Sequence, residues 1–154
     1  MEKKKILFVC TGNTCRSPMA EALAKKALKK AGLQDKAEFR SVGTQTQDGH
    51  WASDGAIEVM AARGIDLKEH RSTMLKAAWV READLILTMS QDQRDEILLA
   101  FPEEKDKVFT FGRYVGWGNE VIDPFGGDEL VYKVCADWLE EMVGLLIKKL
   151  FLPI

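Results

Sequence analysis

Histidine and cysteine are scarce in this chain: two histidines, His50 and His70, and three cysteines, Cys10, Cys15 and Cys135, in 154 residues. Neither histidine has a partner at metal-ligand spacing, so no metal and no cofactor are expected. An odd number of cysteines without an export signal points to reduced thiols rather than a disulfide framework. Charge of one sign is also missing. Twenty-two basic residues face 24 acidic ones, leaving a net charge of −2 and a pI near 5.8. That balance lacks the electrostatic footprint of a nucleic-acid binder. Long apolar runs are absent too. After Lys3-Lys4-Lys5, the run Ile6 to Val9 is cut by Cys10, Thr11 and Gly12, too early for a secretory signal. The segment Met142 to Ile154 is interrupted by Lys148 and Lys149 well before the ~20 residues a membrane span requires. These absences lead us to expect a cytoplasmic protein with no membrane partner, and they leave its oligomeric state open.

What is present is enough apolar residue, 46%, to build one sizeable core, so residues 1–154 are expected to form a single domain. Short β-like runs alternate with longer segments of helical spacing. Ile6 to Cys10, Glu38 to Val42, Leu85 to Met89 and Val108 to Phe111 read as strands. Met19 to Ala31, Asp54 to Arg63 and Gln91 to Phe101 read as helices, stopped by Gly32, Gly64 and Pro102. A last helix should start near Asp128, because Val131, Val134, Cys135, Trp138, Met142, Val143 and Leu146 recur at three- and four-residue steps. Such alternation implies an α/β domain with a mainly parallel sheet. In open sheets of that kind, ligands bind beyond the carboxyl ends of the strands.

Cys10 stands at such an end, opening the stretch CTGNTCRSPMAE. Between Cys10 and Arg16 lie Thr11, Gly12, Asn13, Thr14 and Cys15; Ser17 can cap the following helix, and Pro18 suits its first turn. A short loop so placed can turn its backbone N–H groups inward and, with the helix N-terminus, form an anion nest. Arg16 adds a planar fork for two phosphate oxygens, and Gly12 gives backbone freedom. No Gly-Lys-Ser/Thr ending follows, so this is not a nucleotide loop of the Walker kind. A cysteine occupies the floor instead. A helix dipole contributes at most about 2 kcal/mol toward a thiolate, so loop N–H groups, Arg16 and the Ser17 hydroxyl must add to it. The thiolate could then attack phosphorus in line while the cradle holds the equatorial oxygens, with no metal required. A cysteine at a strand end is more often a small buried hydrophobe. Gly12, Asn13 and the Ser17-Pro18 pair are what shift the balance.

The stretch VCTGNTCRSPMAEA resembles the signature of the low-molecular-weight protein tyrosine phosphatase family. Further matches run through Ser41 to Thr44, Gly64 to Leu67, His70 to Ser72, Ala83 to Met89 and Asp123 to Phe125. The resemblance implies a flavodoxin-like domain, the phosphotyrosine phosphatase I fold, with a four-stranded parallel sheet and helices on both faces. It implies Cys10 as nucleophile, Arg16 as phosphate binder and Asp123 as general acid, with Asn13, Ser41 and His70 holding the loop in shape and Ser17 assisting the thiolate. Two features, CTGNTCRS with Thr11 after the nucleophile and DPFGG followed by a helix with Tyr132, resemble the bacterial protein arginine phosphatase branch. The implied partners are a phosphorylated protein and, in the loop, phosphate or related oxyanions.

Read as chemistry, Asp123 could protonate the leaving group and then activate water. Pro124 restricts it to extended backbone. Thr11 alters the width and polarity of the pocket wall, and an ionised Asp123 could pair with a guanidinium. Phe125 could cover a guanidinium or a phenol equally well. The alternative substrate is therefore phosphotyrosine. An arsenate reductase is disfavoured because Glu82 to Asp92 contains no relay cysteine. A phosphocarrier has no need of Arg16 and Asp123, and a non-catalytic phosphate-binding module would not depend on Cys10. Cys15, five residues after Cys10, is either a thiol packed under the loop or the partner in a reversible disulfide. Cys135, Leu98, Leu99 and Phe101 are expected in the core, and Trp117 is either a rim or a packing residue.

Overall fold

The structure, a computed structural model, describes residues 3–118 and 120–152. Four strands, β1 (Lys4–Cys10), β2 (Ala37–Gly43), β3 (Leu85–Thr88) and β4 (Val108–Thr110), form one parallel sheet in the order β2-β1-β3-β4. β1 is central, pairing Phe8 with Ser41 on one side and with Leu87 on the other. Its run ILFVC is apolar throughout because both faces are covered, as expected of a parallel strand. Ile6 and Phe8 pack with the cluster that contains Met19, Leu23, Leu139 and Met142. Leu7 and Val9 face the opposite cluster, with Val80 and Ile97. The first face carries α1 (Arg16–Lys30), α2 (Asp54–Ala61) and α6 (Glu129–Phe151); the second carries α3 (Ala77–Glu82) and α4 (Gln91–Ala100). No helix among the described residues is long and apolar enough to cross a membrane.

The long elements fall within a few residues of their expected positions. Asp128 caps α6, its side chain accepting from the Val131 N–H at 3.1 Å. α1 starts earlier than expected, at Arg16, with Cys15 at its N-cap. Ser17 therefore lies inside the helix, and its hydroxyl is directed to Cys10 rather than to a cap. Three short elements went unread: α3, a 3₁₀ turn at Pro102–Lys107, and α5 (Phe111–Tyr114). Leu99 is not core; it is 88% exposed, while Ile97 on the same helix carries the buried contact. Trp117 packs on Trp138, with ring centroids 4.8 Å apart.

Candidate active site

The sheet order places the crevice between β1 and β3, and the β1 chain enters it through Cys10. Directly after Cys10 the backbone folds under itself, and Asn13 takes φ of 57°, the single non-glycine residue with positive φ among the described residues. Asparagine tolerates that left-handed region better than most side chains. Once there, its N–H donates to Cys10 Sγ at 3.2 Å. Its carbonyl lies 2.8 Å from His70 Nε2. Its side-chain Oδ1 accepts the Thr73 N–H at 2.8 Å, which fixes the amide so that Nδ2 donates to Ser17 Oγ, also at 2.8 Å.

That last bond anchors Ser17 beside the nucleophile. Its hydroxyl oxygen accepts from Asn13, lies 2.9 Å from Cys10 Sγ, a contact in which either atom can donate, and is 3.5 Å from the Val42 carbonyl, to which it can donate. The sulfur thus accepts the Asn13 N–H and meets the Ser17 hydroxyl at the N-terminal end of α1.

Arg16 is held across the crevice. Its side chain is 7% exposed; Nη1 donates to the Val121 carbonyl at 3.3 Å, and Nη2 lies 3.6 Å from Asp123 Oδ2. Asp123 Oδ1 accepts from the Phe125 N–H at 3.1 Å, closing a turn that leaves Oδ2 directed at the guanidinium. Val121 is itself tied to the sheet through its N–H and the Met89 carbonyl at 3.0 Å. The carboxylate reaches the crevice from a segment 113 residues downstream of Cys10 because β3 and this segment are joined at that point.

Cys10, Thr11, Gly12, Thr14, Cys15, Arg16, Asp123 and Phe125 together line a cavity of about 230 Å³. Asn13 and Ser17, both fully buried, lie beneath it. Phe125 is 73% exposed at the rim. His70 Nε2 meets the Asn13 carbonyl of the loop, whereas the Ser41 hydroxyl, expected at the loop, donates instead to Glu21 Oε1 of α1 at 2.6 Å and makes no bond to the loop among the described residues. Cys15 Sγ donates to Ser53 Oγ at 3.2 Å and lies 3.5 Å from the Tyr132 hydroxyl, which also bonds Ser53 at 3.0 Å. Burial pushes the Tyr132 phenol up to about 12, with the Cys15 contact adding to the effect. All three cysteines are free thiols.

Four contributors escaped the sequence reading: Thr73, Ser53, the Val121 carbonyl and Gln93. Gln93 had a legible signal, the Ser90-x-x-Gln93 capping box that starts α4. The others act through main-chain atoms or over long separations.

A parallel sheet that delivers a buried cysteine, an arginine and a facing carboxylate to one small cavity defines a cysteine-based phosphatase. The chain belongs to the low molecular weight phosphotyrosine protein phosphatase family, whose model matches residues 5–151. It is 41% identical to a protein-arginine-phosphatase of Geobacillus stearothermophilus over 95% of both chains. It is 42% identical to a protein-arginine-phosphatase of Bacillus subtilis over 94% of this chain and 95% of that one. Among solved structures, the YwlE arginine phosphatase in a cysteine-to-serine mutant with a phosphorylated active-site serine superposes with a TM-score of 0.90. It is 40% identical, with 95% of both chains covered.

Proposed function

We propose that this chain hydrolyses phosphoarginine in proteins, with Cys10 as nucleophile, Arg16 as phosphate clamp and Asp123 as acid and then base. The observation that carries the reading is Cys10 Sγ, held by the Asn13 N–H and the Ser17 hydroxyl, at a cavity lined by the Arg16–Asp123 pair. In the first step the sulfur attacks phosphorus and the phosphorus–nitrogen bond breaks, while Asp123 protonates the departing nitrogen. The arginine leaves as a guanidinium, which the newly ionised Asp123 pairs through paired hydrogen bonds. In the second step Asp123 takes a proton from water as its oxygen attacks the cysteinyl-phosphate, releasing phosphate and the thiolate. Loop N–H groups, among them those of Thr11, Gly12, Thr14 and Cys15, and the Arg16 fork stabilise the equatorial oxygens throughout.

Phosphoarginine is preferred over phosphotyrosine because Thr11 lines the cavity together with Asp123 and Phe125 of the DPFGG stretch, and the two relatives named above are protein-arginine-phosphatases. The second reading, phosphotyrosine, is favoured by the family's own description. The deciding measurement is kcat/KM on matched phosphoarginine and phosphotyrosine peptides. The native chain should prefer phosphoarginine, and Thr11→Ile should shift the ratio toward phosphotyrosine by roughly 10- to 200-fold. A native preference for phosphotyrosine overturns the assignment. Activity on p-nitrophenyl phosphate without added metal, blocked by vanadate and abolished in Cys10→Ser, tests the mechanism separately.

Cys15 gives the same site a redox response. Peroxide would oxidise Cys10 to a sulfenic acid with loss of water, and the Cys15 sulfur would displace a second water to form a disulfide that a thiol reductant reopens. Such a site works in a reducing compartment, which agrees with a cytoplasmic location. Recovery of activity by dithiothreitol after peroxide treatment should be lost in Cys15→Ser; full recovery in that variant refutes the role.

A further inference from the structure

Gln93 sits at the third position of α4, 1% exposed, and its side chain makes three hydrogen bonds. Oε1 accepts from the Met89 and Ser90 N–H groups, each at 2.9 Å. Nε2 donates to Thr11 Oγ1 at 3.1 Å. Because two backbone donors fix which end of the amide is oxygen, the nitrogen must face Thr11. The capping box by itself asks only for an acceptor at this position, which a glutamate supplies equally well. What glutamine alone adds is the N–H, and the N–H is directed at the residue that follows Cys10.

Thr11 makes no other side-chain hydrogen bond among the described residues. Gln93 does not line the substrate cavity, whereas Thr11 does. The bond therefore draws the polar branch of Thr11 toward α4 and selects one of its staggered side-chain conformations. We infer that Gln93 is a specificity-positioning residue: it holds Thr11 in one rotamer, so that the cavity wall beside the nucleophile has a single shape and polarity. The inference rests on the proposed role of Thr11 in substrate choice. It adds that the choice is made by a pair, one member of which never touches substrate.

The test is a double-mutant cycle read on a ratio. kcat/KM for phosphoarginine and phosphotyrosine peptides is measured in the native chain, Gln93→Met, Gln93→Glu, Thr11→Val and the Gln93→Met/Thr11→Val double variant. Gln93→Met removes the bond to Thr11, and thermal unfolding confirms that each variant folds. Gln93→Glu keeps an acceptor for the backbone bonds and for the Thr11 hydroxyl, which can donate in its turn, so it still holds Thr11 and serves as the control. The expected result is that Gln93→Met changes the substrate ratio by about 3- to 10-fold while Gln93→Glu leaves it near the native value. In the Thr11→Val background, where no hydroxyl remains to be held, Gln93→Met should leave the ratio unchanged. A merely structural role would lower both substrates together and leave the ratio alone. An unaltered ratio in Gln93→Met, or the same change with and without the Thr11 hydroxyl, overturns the inference. Since the readout is a change in ratio, it stands even if the native chain prefers phosphotyrosine, an outcome that would sink only the substrate assignment.

Discussion

Asn13 concentrates the demands of the loop in one side chain. It accepts a left-handed backbone, bonds the sulfur through its N–H, orients Ser17 through Nδ2 and ties the loop to Thr73 through Oδ1. Asn13→Ala would leave the Thr73 N–H without its acceptor and free the Ser17 hydroxyl to turn away from Cys10. The expected cost is about 2–3 kcal/mol of stability, read from the shift in denaturant midpoint, with a fall in kcat. Asn13→Gly relieves the backbone but restores none of the bonds, so it should recover no more than about 1 kcal/mol of that loss. A glycine variant as stable and active as the native chain would show that the side-chain bonds contribute nothing. At this scale the sequence was informative about residue types near Cys10 and poor about direction. Ser17 looked like a helix cap because serine before proline commonly is one; only the folded loop shows its hydroxyl claimed by Asn13 on one side and the sulfur on the other. Ser41 faces Glu21 for the equivalent reason, since the strand pleat and not the sequence spacing decides which neighbour it meets.

Elements meet the site through close backbone approach. Gly43, the last residue of β2, pairs with Cys10, and a Cβ added there would lie 2.6 Å from the Thr11 carbonyl oxygen and 3.1 Å from the Asn13 nitrogen. Both are main-chain atoms of the loop, which cannot swing aside as a flexible side chain does. Gly43→Ala should therefore destabilise by about 1–3 kcal/mol and also lower kcat/KM, because the strain falls on the loop itself. Gly55 in α2 provides the comparison. Its added Cβ would lie 2.4 Å from the Tyr132 ring of α6, so Gly55→Ala should cost similar stability while disturbing the loop only through Ser53 and Cys15. The two variants, matched for loss of thermal stability, should differ in kcat/KM, with Gly43→Ala the more damaged; equal damage would mean that β2 has no special hold on the loop. Long elements were legible because β1 carries a continuous apolar run and α6 keeps a helical repeat over 23 residues. The four-residue α5 and six-residue α3 have too few turns for a repeat to show, and Leu99 shares the apolar character of Ile97 without sharing its inward face.

For the whole molecule, the buried acids set how stability depends on pH at the alkaline end. Burial pushes the Cys135 thiol up from about 9 to about 12, its Sγ directed at the Ile122 carbonyl just before the acid-bearing turn. Burial likewise pushes the Tyr132 phenol from 10.0 to about 12. Both groups stay protonated in the folded chain at pH values where the unfolded chain has already released the protons. The unfolded state binds fewer protons in that window, so stability falls as pH rises. The contribution is fully present below about pH 9 and is lost progressively toward pH 12, first through Cys135 and then through Tyr132. Tyr132→Phe keeps the ring that packs on Gly55 and removes the titrating phenol. It should lower stability at neutral pH through the lost Ser53 bond, yet make the decline between pH 10 and 12 shallower in urea midpoints measured across that range. If the decline keeps its native slope, the phenol is not held neutral by the fold, and the α2–α6 contact beneath Cys15 is wetter than its burial implies.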